Sequence, residues 1–304
     1  MKSLLTLIFL CFSAALSAQE QVALWQERSI PNFISTQAKE VILKRDTLFI
    51  ADVQTPTIAA FLPEKSKSNG MAVLILPGGG YKGVAYDLEG TEYAKWFNSQ
   101  GFAAFVLKYR MPQAKSAQVS YKAPIQDAQR AIKYIRYNAR RFNIDKDKIG
   151  VIGSSAGGHL ASTLATHRRT EYYQAQDEID TMSSNVNFAM LIYPVISMKK
   201  GITHNGSRRN LLGKTPSKDL IIQFSNELHV TKDSPATFIV HSTSDTAVSV
   251  KNSKLFYEAL LTHNVNVTMH LFAIGNHGYG LGTNIDYAPN WRHLAEQWLE
   301  TLYH

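Results

Sequence analysis

Lys148-Ile149-Gly150-Val151-Ile152-Gly153-Ser154-Ser155-Ala156-Gly157-Gly158-His159-Leu160-Ala161 is the stretch on which the reading of this chain turns. An apolar run at 148–152 ends in Gly153-Ser154-Ser155-Ala156-Gly157, a G-x-S-x-G at a strand-to-helix turn. Such a turn is sharp and strained, and glycine fits where a Cβ would collide with neighbouring backbone. Its effect is to lift a serine hydroxyl out of the edge of a sheet. The pentapeptide alone recurs in Gly/Ser-rich loops. Here a strand precedes it and residues 158–164 can carry a helix after it, so Ser155 is a candidate nucleophile rather than a turn serine.

Outward from this point, continuous apolar runs at 71–76, 102–107, 188–193, 237–241 and 267–272 are of buried-strand type, and shorter extended runs lie at 41–43, 47–50 and 57–62. Between them apolar residues recur at helical spacing. Tyr93, Ala94 and Phe97 belong to one helix, closed by Gly101; Ala128, Ala131, Ile132, Ile135 and Ala139 belong to a second over 124–141. Phe256, Ala259 and Leu260 mark a third, and Trp291, Leu294, Ala295, Trp298, Leu299 and Leu302 a terminal one. Buried strands alternating with helices predict an α/β fold with a mostly parallel central sheet and helices on both faces. Residues 197–236 are longer and more polar than a simple crossover. They read either as a small cap over the site or as a helix with long loops. Residues 19–304 show no repeat, low-complexity tract or linker and are expected to form one domain.

Residues 1–18 read as a signal peptide: Lys2, an apolar stretch from Leu4 to Phe12, and the small-residue region Ala14-Ala15-Leu16-Ser17-Ala18, with cleavage after Ser17 or Ala18. The stretch is shorter than the roughly 18 apolar residues of a spanning helix. The one cysteine, Cys11, falls inside it behind Leu10, where a lipoprotein signal has a small residue. Export, to the periplasm or beyond the cell, is therefore expected for a mature chain without disulfide or lipid anchor. The formal charge of +8 is scattered in pairs such as Lys199-Lys200 and Arg208-Arg209, with acids between. No stripe of interleaved aromatic and basic residues marks a nucleic-acid face.

A serine hydroxyl needs a base within hydrogen-bond reach, and the base needs an acid to orient it. In a sheet entered by a nucleophile elbow these follow the serine in the order acid, then histidine. Asp245 comes just after the strand at 237–241, and His277, between Gly275 and Gly278, just after the strand at 267–272. Ser155, Asp245 and His277 are thus the candidate triad. Competitors fail on placement. His159, four residues beyond Ser155, fits packing beneath the elbow; His241 ends a strand; Asp233 precedes a strand; Asp286 follows the base. Asp127, in a helix beside Arg130, reads as a structural salt-bridge partner. A tetrahedral intermediate also needs N–H donors. Pro77-Gly78-Gly79-Gly80-Tyr81 follows the strand at 71–76, so Gly79 and Gly80, with the N–H of Ala156, are the candidate oxyanion hole. Gly78, Gly80 and Gly83 also match a dinucleotide fingerprint, but the next strand ends in Lys108-Tyr109-Arg110 rather than in the acid that would hold a ribose. No histidine and carboxylate grouping has metal-ligand spacing, so neither metal nor cofactor is expected.

With these elements in place the chain resembles the α/β-hydrolase superfamily. Within it the chain is similar to exported bacterial carbohydrate esterases of the acetylxylan-esterase type and their hormone-sensitive-lipase-like relatives. The carrying segments are residues 77–81, Tyr109-Arg110-Met111-Pro112, Asp127-Ala128-Gln129-Arg130-Ala131, residues 153–161 and residues 275–280, and the likeness spans roughly 55–303. It implies a cofactor-independent ester hydrolase acting on small acyl groups of a glycan, acetyl foremost. Feruloyl esterase, serine peptidase and a non-catalytic binding protein on the same scaffold are the alternatives. Two departures stand out. Pro77 opens the glycine loop where relatives carry a histidine that braces it. Val248-Ser249-Val250 lacks the proline that relatives place in the acid loop, which is expected to loosen the hold on Asp245.

Overall fold

Strands buried on both faces need cover on both sides, and the apolar runs supply them. The computed structural model describes residues 20–26, 30–44, 46–282 and 290–302; the signal-peptide reading, Cys11 and Asp286 fall outside the described residues. The strands are β1 (Glu20–Ala23), β2 (Val41–Lys44), β3 (Leu48–Ala51), β4 (Thr57–Phe61), β5 (Ala72–Leu76), β6 (Gly83–Ala85), β7 (Ala103–Lys108), β8 (Ile149–Ser154), β9 (Phe188–Ile192), β10 (Ala236–Ser242) and β11 (Val267–Phe272). The helices are α1 (Glu92–Ser99), α2 (Lys122–Tyr137), α3 (Ala139–Phe142), α4 (Ser155–Thr166), α5 (Asn205–Leu212), α6 (Lys218–Gln223), α7 (Lys251–Thr262) and α8 (Trp291–Thr301).

Eight strands form one sheet in the order β1-β4-β7-β5-β8-β9-β10-β11. From β7 to β11 every neighbouring pair is parallel, and β4 runs antiparallel to both β1 and β7. Every residue of β5, β8 and β9 is buried, which is why these strands are unbroken apolar runs rather than alternating ones. On one side α1 and α8 meet through the Trp96 and Trp291 rings, 5.4 Å apart, and Trp298 of α8 packs on Phe188 and Phe238. The α/β sandwich with a mostly parallel sheet is the predicted one.

The structure adds to the sequence reading at three points. In the polar segment 19–40, where the sequence pattern marks no element, Glu20–Ala23 pairs in register with β4 and Trp25 is buried behind it. The helix expected over 124–141 divides at Asn138, where the backbone leaves helical geometry and both the Asn138 N–H and its side-chain amide donate to the Tyr134 carbonyl. A second, three-stranded antiparallel sheet, β2-β3-β6, contains the strand Gly83–Ala85, which is too short to carry a period in the sequence.

Asp127 is indeed structural, but its partner is Arg110 and not the neighbouring Arg130. Both side chains are fully buried, with Arg110 Nη2 2.8 Å from Asp127 Oδ1 and Nε 2.9 Å from Oδ2. Asp127 also accepts from the Arg110 N–H and from Trp25 Nε1, and Arg110 Nη1 donates to the Pro31 carbonyl. One buried pair therefore ties the N-terminal segment, the end of β7 and α2 together. Arg130 turns instead to Asp177 and Asp180. Asp127→Ala leaves the Arg110 guanidinium uncompensated in the core and is expected to destabilise the fold by about 3–5 kcal/mol in urea or guanidinium unfolding. A loss below about 1 kcal/mol would show that the pair is not needed.

Candidate active site

The elbow takes its shape from backbone that cannot accommodate side chains on its flanks. β8 ends at Ser154 and α4 starts at Ser155, whose φ is +53°, an unfavourable value for a residue with a Cβ. A Cβ on Gly157 would lie 2.0 Å from the Leu76 carbonyl oxygen, so only glycine lets α4 pass this close to β5. The Ser155 carbonyl accepts from the Val195 N–H at 3.0 Å, pinning the turn to the end of β9.

Ser155, Asp245 and His277, predicted from three separate strand ends, come together. His277 Nε2 is 2.8 Å from Ser155 Oγ, and His277 Nδ1 is 2.6 Å from Asp245 Oδ2. With Asp245 as a carboxylate acceptor, Nδ1 carries the proton and Nε2 presents its lone pair to the serine hydroxyl. The Asp245 side chain is fully buried and that of His277 one-fifth exposed. Burial alone would push the Asp245 carboxyl up. Hydrogen bonds from His241 and His277, the nearby imidazole charge and the Val248 N–H outweigh it and hold the carboxyl well below the usual carboxylate range. The acid loop is not loose despite its missing proline. Asp245 Oδ1 accepts from the N–H groups of Ala247 and Val248, at 2.9 and 2.8 Å, and the loop closes on its own acid. His241, set aside as a strand-ending residue, closes it further. Its Nε2–H is shared between Asp245 Oδ2 and the Val248 carbonyl, while Ser253 Oγ lies 2.7 Å from Nδ1.

The glycine loop after β5 passes beside the nucleophile, where a Cβ on Gly78 would come 2.9 Å from that of Ser155. Gly78 N–H is already taken by Glu89 Oε2 at 2.7 Å. Gly79 and Gly80, at φ of +141° and +63°, keep their N–H groups, and the Ala156 N–H belongs to the first turn of α4, where helix amides have no partner within the helix. The bracing histidine of relatives is replaced by other groups. Tyr109 Oη donates to the Pro77 carbonyl, and the Asn210 side chain donates to the Gly80 carbonyl. Tyr81 Oη donates to His159 Nδ1, and His159 Nε2–H donates to the Phe224 carbonyl. Burial lowers the His159 pKa to about 4, so it is a neutral strut beneath the loop and not a base.

Glu89 carries a role that the sequence did not reveal. It sits in a wide turn at Asp87–Thr91, fully enclosed, with Oε2 on Gly78 and Oε1 accepting from Tyr193 Oη at 2.7 Å. Tyr193 Oη in turn accepts from the Gly280 N–H at 3.0 Å, and its ring centroid is 4.8 Å from that of His277. One buried acid thereby links the glycine loop to the histidine loop. Burial pushes its pKa up, opposed by the Tyr193 hydroxyl, the His277 charge and the Gly78 N–H. A lone carboxylate between Leu88 and Gly90, with no motif around it, offers no pattern that could have singled it out. The segment 197–236 contains α5 and α6, and α5 reaches the glycine loop through Asn210, so this insertion borders the site.

Most of the segments that build this site fall within the match to a known family. The BD-FAE family model aligns with residues 58–260, which include the glycine loop, the elbow and Asp245. The chain belongs to the BD-FAE family. Among relatives of this BD-FAE chain, the acetylxylan esterase of Xylanibacter ruminicola is 32% identical over 263 residues, covering 85% of this chain and 51% of the relative. Endo-1,4-beta-xylanase B of Butyrivibrio fibrisolvens is 34% identical over 219 residues, 72% of this chain and 34% of the relative. The chain thus spans about half the length of the first relative and about a third of the second. Among solved structures, an acetyl ester-xyloside bifunctional hydrolase from Caldicellulosiruptor lactoaceticus superposes with a TM-score of 0.81 at 34% identity, covering 93% of this chain and 96% of that one. The α/β-hydrolase fold and the kinship with esterases are as the sequence led us to expect.

Proposed function

We propose that this protein is a serine esterase that removes small acyl groups, acetyl foremost, from xylan-type oligosaccharides. The observation that carries the reading is the continuous chain from Ser155 Oγ through His277 to Asp245, at 2.8 and 2.6 Å. Ser155 attacks the ester carbonyl as His277 Nε2 takes its proton, and Asp245 keeps the imidazole oriented and balances its charge. The carbonyl oxygen gains negative charge and is received by the N–H groups of Gly79, Gly80 and Ala156. His277 returns the proton to the leaving sugar oxygen, and water then releases the acid from Ser155 by the same steps. The glycan is suggested by the names of three relatives: an acetylxylan esterase, an acetyl ester-xyloside hydrolase and a xylanase. Taking residues 1–18 as a signal peptide places the enzyme outside the cytoplasm, where xylan is met. Among the described residues no helix is long and apolar enough to cross a membrane.

Acyl size tests the proposal. Each methylene that enters an apolar pocket is worth about 0.8 kcal/mol, so a lipase-like site would favour long chains steeply. The expected order of kcat/KM is nitrophenyl acetate above butyrate, with octanoate barely turned over, and acetylated xylo-oligosaccharides should release acetate. A rise from acetate to octanoate would remove the carbohydrate-esterase reading and leave only ester hydrolysis. Release of ferulate in preference to acetate from matched glycans would transfer the assignment to a feruloyl esterase.

A further inference from the structure

His204 stands beside the site with a donor that the acyl-transfer steps above do not use. It caps α5, and its Nδ1 accepts from the Ser207 N–H at 3.2 Å, with the buried Ser207 Oγ 2.8 Å away. Since Nδ1 is an acceptor, the ring proton sits on Nε2. No described residue accepts from that Nε2–H. The ring lies close to Gly206, where a Cβ would come 2.9 Å from Cε1 and 3.3 Å from Nε2. Its Cε1 edge is 3.9 Å from the point where a side chain on Gly80 would begin. The Asn210 side chain, one and a half turns along α5, ties the same helix to the Gly80 carbonyl. His204 also lies within electrostatic range of both His277 and Asp245. Its half-burial, and after that the neighbouring His277 charge, lower its pKa and keep the imidazole neutral, against the pull of Asp245. A neutral N–H donor is therefore fixed in place between the insertion and the oxyanion loop.

What that donor would meet follows from its surroundings. An oxygen of the ester carbonyl is already served by backbone amides, so a further donor at the rim meets the alcohol part. Its chain neighbours Thr203 and Asn205, though not His204 itself, border with Thr243, Thr246 and Ser249 a mainly polar cavity of about 310 Å³ that reaches Asp245 and is completed by Gly201, Ile202, Ala247 and Val250. The side chains that can hydrogen-bond outnumber the apolar ones in this lining, which favours a hydroxyl-rich group over a fatty chain. We propose that His204 is a specificity-determining residue that donates its Nε2–H to a hydroxyl or ring oxygen of the sugar carrying the scissile acyl group. The inference rests on the esterase reading above and adds to it the group that recognises the alcohol.

His204→Asn separates this role from helix capping, because asparagine caps a helix N-terminus as well as any residue but ends short of the imidazole Nε2. The readout is the ratio of kcat/KM for an acetylated xylo-oligosaccharide to kcat/KM for nitrophenyl acetate, which carries the same acyl group on an alcohol without hydroxyls. Loss of one hydrogen bond to the sugar is expected to lower that ratio by roughly three- to tenfold, through KM for the sugar ester. His204→Ala should lower it at least as far. A ratio within twofold of wild type in both variants overturns the inference, and so does an equal loss on both substrates, which would place His204 in the acyl-transfer machinery or the fold. Wild-type protein that hydrolyses nitrophenyl acetate but releases no acetate from the glycan overturns the glycan reading itself, an outcome seen before any variant is made.

Discussion

Replacing Ser155 with alanine is expected to lower ester turnover by at least about 10³-fold while the protein stays folded. Alanine keeps a Cβ, so it meets the positive φ of +53° with the same backbone strain as serine and adds none. The side chain is 6% exposed and only its Oγ is lost. His277 retains its bond to Asp245 and so its orientation. Any fall in rate then reports loss of the nucleophile and not collapse of the site. His277→Ala should cost a similar factor, and the double variant should be little worse than either alone, because residues that act as one unit are not additive. A fluorophosphonate should label wild-type protein and leave Ser155→Ala unlabelled. Near-normal activity in Ser155→Ala would end the serine-esterase reading, and a folded wild-type protein that resists labelling would favour a binding protein on a hydrolase scaffold.

The parts of this molecule that could be read from sequence are those whose physics is local. The strands β5, β8 and β9 appear as unbroken apolar runs because both of their faces are covered, and the elbow glycines appear because a Cβ there meets backbone. The three residues of the candidate triad could be picked out, and their side chains meet, because the chain order of serine, acid and histidine follows from where strands end. What escaped depends on contacts between distant segments. β1 is defined by pairing with β4 some forty residues on, and Glu20-Gln21-Val22-Ala23 has no period of its own. Asp127 sits three residues from Arg130, the obvious partner by helical spacing, yet it pairs with Arg110 because the end of β7 passes over α2. Glu89, Tyr193 and His241 are ordinary residues in sequence. Each takes on a role at the site only when the sheet brings the glycine loop, the histidine loop and the acid loop to one edge. The missing loop histidine and the missing acid-loop proline looked like weaknesses for the same reason, since their substitutes lie elsewhere in the chain.

Asp245→Asn is the sharper test of how the base works, and a fall of about 10⁴-fold in kcat is expected from it. The variant is nearly isosteric, and a carbonyl oxygen in the place of Oδ1 still accepts from the Ala247 and Val248 amides, while His241 Nε2–H loses its bond to Oδ2 and keeps the Val248 carbonyl. The asparagine NH₂ group, however, would then face His277 Nδ1 as a donor. That reverses the imidazole tautomer, puts the ring proton on Nε2, and presents Ser155 Oγ with an N–H where a lone pair is needed. The same geometry fixes the pH dependence. The Asp245 carboxyl is held well below its ordinary value, so it stays ionised as pH falls through the range in which an imidazole gains a proton. The stability it contributes is present above the unfolded carboxylate value of about 3.9 and is lost only as pH drops through the lower folded value. The acid side of the wild-type kcat/KM profile should therefore show no step from Asp245 before unfolding, and fall with a slope no steeper than one. A slope of two would mean that a carboxylate titrates in the same range, and if it persisted in Glu89→Gln, which removes the other buried carboxyl of the site, Asp245 would not be held as its contacts imply. Activity within about tenfold of wild type in Asp245→Asn, with Ser155→Ala still inactive, would move the acid's role to another residue. Asp233 is a poor replacement, since it is taken up by an exposed pair with Arg169. The nucleophile and base would then have to act with orientation supplied by the fold alone.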